Sequence, residues 1–153
     1  MKHSKTAIGH LGKHYERGKD ESSEYVKFGN PEIDPQRTHL NYNLAPQHNH
    51  MEFIKQRLSE VYCLNRKDVN VMCSWVVTAP KDLDPKQQDD FFKESYKFLE
   101  NRYGKENVIS SYVHLDETTP HMHFAFIPVV YDKKKDSCLL YTSPSPRDMR
   151  RSR

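Results

Sequence analysis

The sequence predicts an α+β fold in which an antiparallel sheet carries its helices on one face. Segments with strand and helix patterns follow one another in the order strand, helix, strand, helix, strand, strand. The connections between them are short, and the last two strands are close enough in sequence to form a hairpin. Both features favour antiparallel pairing. Because the helices are expected to cover one face of the sheet, the opposite face is expected to be open.

The first half of the chain predicts one short strand and one helix. Residues 1–35 are polar and glycine-containing without sustained periodicity, which predicts an irregular lead-in. From His39 to Leu44 apolar and polar residues alternate, which predicts a strand. Across Met51–Tyr62 apolar residues recur at steps of three and four, which predicts an amphipathic helix.

The second half carries the strongest patterns. Val69–Thr78 is rich in β-branched residues and predicts a strand. A helix is expected from Asp84 to Tyr103, because Asp84 suits the N-cap, Pro85 the first turn and Gly104 a left-handed C-terminal cap. Two further strands, Val108–Leu115 and His121–Val130, then complete the sheet.

The predicted hairpin concentrates three histidines. His121 and His123 point to the same side of their strand because side chains alternate, and His114 lies opposite them if the strands pair. Three neutral imidazoles on one patch form an incomplete coordination sphere with positions left for water or substrate oxygens. That arrangement is typical of a catalytic metal. Asp116 and Glu117 in the turn are either solvated or orient an imidazole.

Three blocks of sequence resemble the motifs of one family. They are Lys13–Arg17, Asn30–Leu44 and His114–His123, in that order along the chain. Together they resemble the MobV-type (Mob/Pre) plasmid mobilisation and recombination relaxases of the HUH endonuclease superfamily. Tyr15 departs from the pattern, since the family often has asparagine there.

The resemblance implies an HUH relaxase-like fold and a reaction. Such proteins nick one strand of a plasmid transfer origin and stay attached to its 5′ phosphate through a covalent bond. By resemblance, His114, His121 and His123 hold a divalent cation, either manganese or magnesium, and zinc also fits these ligands. His14 matches the nucleophile position, with Tyr15 as its rival.

The supporting roles also follow from the resemblance. Glu16 or Glu117 accepts the imidazole proton, and Arg17 pairs with the phosphate. Single-stranded or hairpin origin DNA is the expected partner, and its candidate contacts are Tyr15, Arg37, His39 and Asn41. We also expect a homodimer that forms through missing C-terminal helices. The protein is expected to be encoded by a plasmid or other mobile element and to act in the bacterial cytoplasm. Two other functions stay open: a non-catalytic origin-binding remnant and a different metal-dependent phosphoesterase.

The C-terminal segment predicts an artefact. Cys138–Arg153 resembles, codon by codon, a translated transposase-type sequencing adaptor, so residues 1–137 are expected to be a partial relaxase domain and 138–153 no domain. Without that segment the formal charge of +3 becomes zero, which argues against a generally basic DNA-binding surface. Cys63 and Cys73 then remain, and with no signal peptide or membrane-spanning segment they predict a soluble protein in a reducing compartment.

Overall fold

The computed structural model describes residues 2–4, 8–17, 31–61, 70–132 and 137–140. Within this part of the chain, five antiparallel strands form the main sheet in the order β1-β3-β5-β4-β2. The strands are β1 Lys2–Ser4, β2 Tyr42–Asn43, β3 Asn70–Thr78, β4 Val108–His114 and β5 His121–Phe126. A separate hairpin consists of β6 Val129–Asp132 and β7 Ser137–Leu140. The α+β class with an antiparallel sheet is therefore confirmed.

The helices are α1 Ile8–Glu16, α2 His50–Glu60 and α3 Gln88–Tyr103. Single 3-10 turns lie at Thr38–Leu40, Pro85–Gln87 and Lys105–Asn107. No helix in the described ranges is long and apolar enough to cross a membrane.

Of the two caps predicted for this helix, Gly104 is confirmed at the C-terminus, whereas Asp84 caps the 3-10 turn Pro85–Gln87 and α3 itself begins at Gln88. The Asp84 side chain accepts a hydrogen bond from the backbone N–H of Lys86 and starts the 3-10 turn that leads into the helix. Gly104 ends the helix with φ of 94°, and an added Cβ would lie 2.8 Å from an oxygen of Glu106. The backbone angle favours glycine at this position, whereas the nearby Glu106 oxygen belongs to a flexible side chain that can move aside.

Apolar layers cover both faces of the sheet. Phe124 and Phe126 of β5 face α3, whereas Ala125 and Ile127 face the other way and pack with α1 and α2. The expectation that all helices share one face is therefore wrong in this detail. On the face that carries His123, the next alternate positions are the apolar residues Ala125 and Ile127. They form a second buried patch, and helices must cover this patch as well. In the described part of the chain, a cavity leaves the end of this face that carries the histidines partly open.

Three predicted elements differ in extent. The lead-in expected to be irregular contains β1 and α1, and burial of Ile8 and Tyr15 in the core stabilises this short helix. The strand predicted at His39–Leu44 shortens to Tyr42–Asn43. The last predicted strand breaks into β5 and β6 around Pro128, which lacks the N–H that a continuous ladder needs.

The predicted boundary after Ser137 stays a prediction. Ser137–Leu140 pairs with β6, and residues 141–153 lie outside the described part of the chain.

Candidate metal centre

The three hairpin histidines converge as their strand positions predict. His114 pairs with His121 across β4 and β5, and His123 lies two residues further along the same face. One ring nitrogen from each of the three lies within 4.8 Å of the others. The Nε2 atoms of His121 and His123 are 3.1 Å apart, close to the roughly 3 Å that separates two nitrogens bound at right angles to one metal. The donor set and spacing fit a divalent cation.

Burial keeps two of these imidazoles neutral. Burial and then the nearby charge of Arg17 lower the pKa of His114 to about 3. Burial and the neighbouring imidazoles of His114 and His121 lower the pKa of His123 to about 2. A neutral imidazole has a lone pair for a metal, so both side chains are in the ligating form throughout the physiological pH range.

These pKa values predict acid sensitivity in the absence of metal. The unfolded chain takes up protons on both histidines near pH 6.5, whereas the folded chain does so only near pH 3 and below. Stability is therefore full above pH 6.5, and it should fall by about 2–3 kcal/mol per pH unit as the pH drops below about 6. Urea unfolding in EDTA at a series of pH values measures this, and His123→Gln should reduce the slope by about half. A free energy of unfolding that stays constant between pH 7 and pH 5 would contradict the expectation.

His114 is held at both ends of its ring. Its Nε2 donates to the backbone carbonyl of Tyr15 at 2.8 Å, and its Nδ1 accepts from Arg17 at 3.2 Å. This pairing assigns the Nε2-protonated tautomer. One of the two contacts must open before His114 can coordinate a cation, whereas the Nε2 atoms of His121 and His123 already lie at a spacing that suits one cation.

Arg17 ties the first and third sequence blocks together. Its guanidinium donates to both carboxylate oxygens of Asp116, at 3.0 and 3.2 Å, and also pairs with Glu117. It donates further to the carbonyl of His14 at 3.2 Å, and the residue is only 2% exposed. Its φ of 52° lies in the left-handed region, a conformation that these contacts must hold in place.

Asp116 is the buried partner of this arginine. Burial by itself would raise the pKa of Asp116, but the hydrogen bonds and positive charge of Arg17 bring it below its usual value. The hydroxyl of Thr38 adds a hydrogen bond at 3.0 Å, a contact that sequence reasoning missed. The predicted contact of Arg17 with a phosphate gains no support, because its donors already bind carboxylates within the fold.

A cavity of about 330 Å³ opens beside the histidines. It is lined by His14, Glu32, Val76, Thr78, Glu117, Thr118, Thr119, His121 and His123. The ring of His14 is centred 6.5 Å from that of His114 and 6.4 Å from that of His123. Glu117 lies in the same cavity, 3.7 Å from Nε2 of His121. The structure therefore brings a nucleophile candidate, a carboxylate and the metal ligands to one opening.

Comparison with known proteins identifies the family. Residues 1–141 match the Mob_Pre family model, described as plasmid recombination enzyme. The chain belongs to the Mob_Pre family. It is 38% identical over 118 residues to plasmid recombination enzyme type 1 of Staphylococcus aureus, covering 71% of this chain and 29% of that protein. It is 35% identical over 137 residues to a Streptococcus agalactiae plasmid recombination enzyme, covering 81% of this chain and 26% of that protein. The chain thus spans less than a third of these Mob_Pre relatives.

The Mob_Pre fold is also found among solved structures. The relaxase domain of MobM, bound to plasmid pMV158 oriT DNA in a manganese-bound crystal structure, superposes with a TM-score of 0.75 at 28% identity. The match covers 97% of this chain and 76% of the MobM chain. A second manganese-bound MobM complex, at pH 4.6, gives a TM-score of 0.72. The predicted relaxase fold is therefore confirmed.

Within this Mob_Pre fold, Tyr15 is a core residue. It is 3% exposed, its ring stacks on His123 at 4.7 Å, and its hydroxyl donates to Ser74 at 3.5 Å. Burial raises the pKa of its hydroxyl. A buried phenol with a raised pKa is a poor nucleophile, and its ring cannot stack on DNA without leaving the core. Both features favour His14 over Tyr15.

The remaining predicted DNA contacts divide into two kinds. Asn41 accepts a hydrogen bond from the backbone N–H of Leu115 at 2.7 Å, so it supports the turn that carries Asp116. Arg37 and His39 are exposed on and beside a 3-10 turn, where DNA can reach them. Glu16 is directed away from the cavity, with one oxygen 3.2 Å from His50 and 3.4 Å from the Tyr112 hydroxyl. Of the two predicted proton acceptors, only Glu117 lines the cavity.

Proposed function

We propose that this chain contains the cleavage centre of a relaxase that nicks one strand of plasmid origin DNA and retains it covalently. The observation that carries the proposal is the shared cavity of His14, Glu117, His121 and His123. MobM, a relative of the same fold, is described as bound to oriT DNA and manganese, which supports the same substrate class here. The relatives are bacterial, so the proposed place of action is the cytoplasm of a plasmid-bearing bacterium.

The proposed reaction is a transfer of the phosphoryl group to His14. The lone pair of the neutral imidazole attacks phosphorus, and the bond from phosphorus to the 3′ oxygen breaks. The leaving 3′ oxygen takes the electron pair and then a proton, while the N–H proton of His14 passes to the carboxylate of Glu117. The product is a phosphoramidate to the 5′ end of the cut strand. The reverse reaction rejoins the strand without an external energy source.

The histidine centre completes the proposal. His114, His121 and His123 would hold a divalent cation, which when bound polarises the phosphate and offsets the charge that grows on it. Imidazole ligands suit manganese better than magnesium, and they also suit zinc. No cationic side chain lines the described cavity, so charge compensation for the phosphate depends on this centre.

Manganese is expected to stabilise the folded chain. A ligand that binds only the folded state at 100 times its dissociation constant adds about 2.7 kcal/mol. Thermal unfolding with and without manganese should therefore show a rise in Tm that is lost in His123→Ala. His39→Ala is the matched control, because His39 is exposed and lies outside the centre. If manganese raises the Tm of His123→Ala as much as that of the unaltered chain, His123 is not a metal ligand.

The function can be tested without knowing which origin sequence the protein recognises. The substrate is a pool of single-stranded oligonucleotides that carry a randomised window and a fluorescent 3′ end. With manganese, the proposal expects labelled protein that survives denaturing electrophoresis, and EDTA should prevent its formation. Cleavage without labelled protein would instead indicate a metal-dependent phosphoesterase. Binding without cleavage would indicate an origin-binding remnant. A homodimer through helices outside this chain stays a prediction.

A further inference from the structure

We propose that a groove beside the histidine centre binds one unpaired, amino-bearing base of the DNA strand. The groove has a volume of about 560 Å³ and is lined by Glu16, Asn43, Gln47, His48, His50 and Tyr112. The identity of the ligand rests on the proposed function, whereas the groove itself is defined by geometry. The sequence predicts solvated side chains for His48 and His50, whereas the structure has both half-buried.

The groove lies next to the proposed cleavage site. Tyr112 of β4 is the direct cross-strand partner of His123, and Asn43 of β2 is the partner of Tyr112. Directly opposed residues share a face of the sheet, and neighbouring strands are about 4.8 Å apart. The groove is therefore one to two strands from the metal ligands. A base close in sequence to the cut phosphate can reach it.

Hydrogen-bonding groups remain available in the groove. The Nδ2 atom of Asn43 and the Nε2 atom of His48 are buried and have no hydrogen-bond partner among the described residues. The amide of Asn43 is oriented by two backbone N–H groups, of Ala45 and Ser111, which donate to its Oδ1. Buried polar atoms of folded proteins are normally paired, so these two atoms point to a ligand.

Glu16 supplies an acceptor. His50 and the Tyr112 hydroxyl both approach its Oε1, and the Glu16 side chain is still 48% exposed. The ring of His48 stacks on Phe53 at 4.4 Å, which holds the imidazole in place. The groove thus offers one carboxylate oxygen as an acceptor, with Asn43 as a donor and His48 as either.

A second chamber gives the groove an apolar floor. It measures about 280 Å³ and shares Glu16, His48 and His50 with the first. Its deeper wall is formed by Ile8, Met72 and Ile109, which are buried core residues. An apolar floor with a few convergent polar groups suits a planar heteroaromatic ring.

The charge and donor pattern select the class of ligand. In the described chain, neither of the two groups of side chains that could hold a metal ion includes a residue of the groove, so a second metal site is not inferred here. The carboxylate of Glu16 disfavours a phosphate but accepts a hydrogen bond from an exocyclic amino group. Adenine, cytosine and guanine carry such a group together with ring acceptors for Asn43 and His48, whereas thymine has no amino group.

Selection from single-stranded DNA tests the inference. A pool with a randomised window of about eight nucleotides is bound to the full chain, retained on a filter without cleavage and sequenced. The unaltered chain is expected to prefer amino-bearing bases over thymine at one position, by about tenfold. Glu16→Leu, which removes the acceptor, and His48→Phe should each remove that preference and leave the other positions unchanged. Glu52→Gln is the matched control, because Glu52 is exposed on α2 outside the groove.

Two results would overturn the inference. One is an unaltered chain without base preference at any position, and the other is an undiminished preference in both groove variants. Filter retention does not depend on cutting. A chain that shows the expected base preference but forms no covalent adduct would therefore support the groove and contradict the proposed function. Thermal unfolding of each variant verifies that the fold is intact.

Discussion

His14→Ala is expected to lower the yield of covalent protein–DNA adduct by roughly 10³-fold or more. The imidazole of His14 is the nucleophile candidate that lies in the cavity with Glu117, His121 and His123. Alanine removes the attacking nitrogen, and no base or metal ligand can replace a missing nucleophile. Denaturing electrophoresis of the protein with 3′-labelled oligonucleotide measures the yield.

Tyr15→Phe is the matched control for this experiment. The Tyr15 hydroxyl contacts Ser74 in the core, and its ring stacks on His123. Phenylalanine keeps the stacked ring, so adduct formation should stay within a few-fold of the unaltered chain. Adduct that survives in His14→Ala but is lost in Tyr15→Phe would assign the nucleophile to tyrosine. Filter binding of both variants separates a loss of chemistry from a loss of DNA affinity.

Arg17→Ala is expected to lower the free energy of unfolding by about 3–5 kcal/mol. The substitution leaves the carboxylate of Asp116, which is 1% exposed, without its bidentate partner. It also removes a donor to His114 and the partner of Glu117, so adduct formation should fall together with stability. Urea denaturation measures the loss, and Arg37→Ala, at an exposed arginine, should change stability by less than about 0.5 kcal/mol.

A double variant separates the ion pair from general packing. Once Arg17 has been replaced by alanine, the further change Asp116→Ala removes the uncompensated charge and should cost little or recover stability. Additive losses in the double variant would show that the pair is not coupled. An Arg17→Ala chain as stable as the Arg37→Ala chain would show that the buried guanidinium contributes no stability.

Local patterns predict the hairpin and the last helix well. The spacing of His121 and His123 places both on one face of any strand, and the turn returns the chain so that His114 lies opposite. Asp84 caps the 3-10 turn that leads into α3, and Gly104 ends the helix, through backbone preferences that operate within a few residues. These predictions hold because the physical causes lie inside the segment.

The first helix shows where local patterns fail. Residues 1–35 contain glycines and polar residues, and Gly9 and Gly12 conceal the helical spacing of the apolar residues within Ile8–Glu16. The helix forms because Ile8 and Tyr15 are buried against the sheet and α2. Short helices depend on such tertiary packing rather than on intrinsic propensity.

By itself, the sequence determined which chemical groups are available and which of them share a strand face, since residue type and two-residue alternation are local properties. It also determined the relaxase family, through three ordered blocks. Only the tertiary structure decided that Arg17 binds Asp116, 99 positions away. Likewise it decided that Tyr15 is buried and that His48 and His50 line a groove with Glu16. Such contacts depend on how layers pack across the sheet, and local periodicity does not specify which distant side chains will meet there.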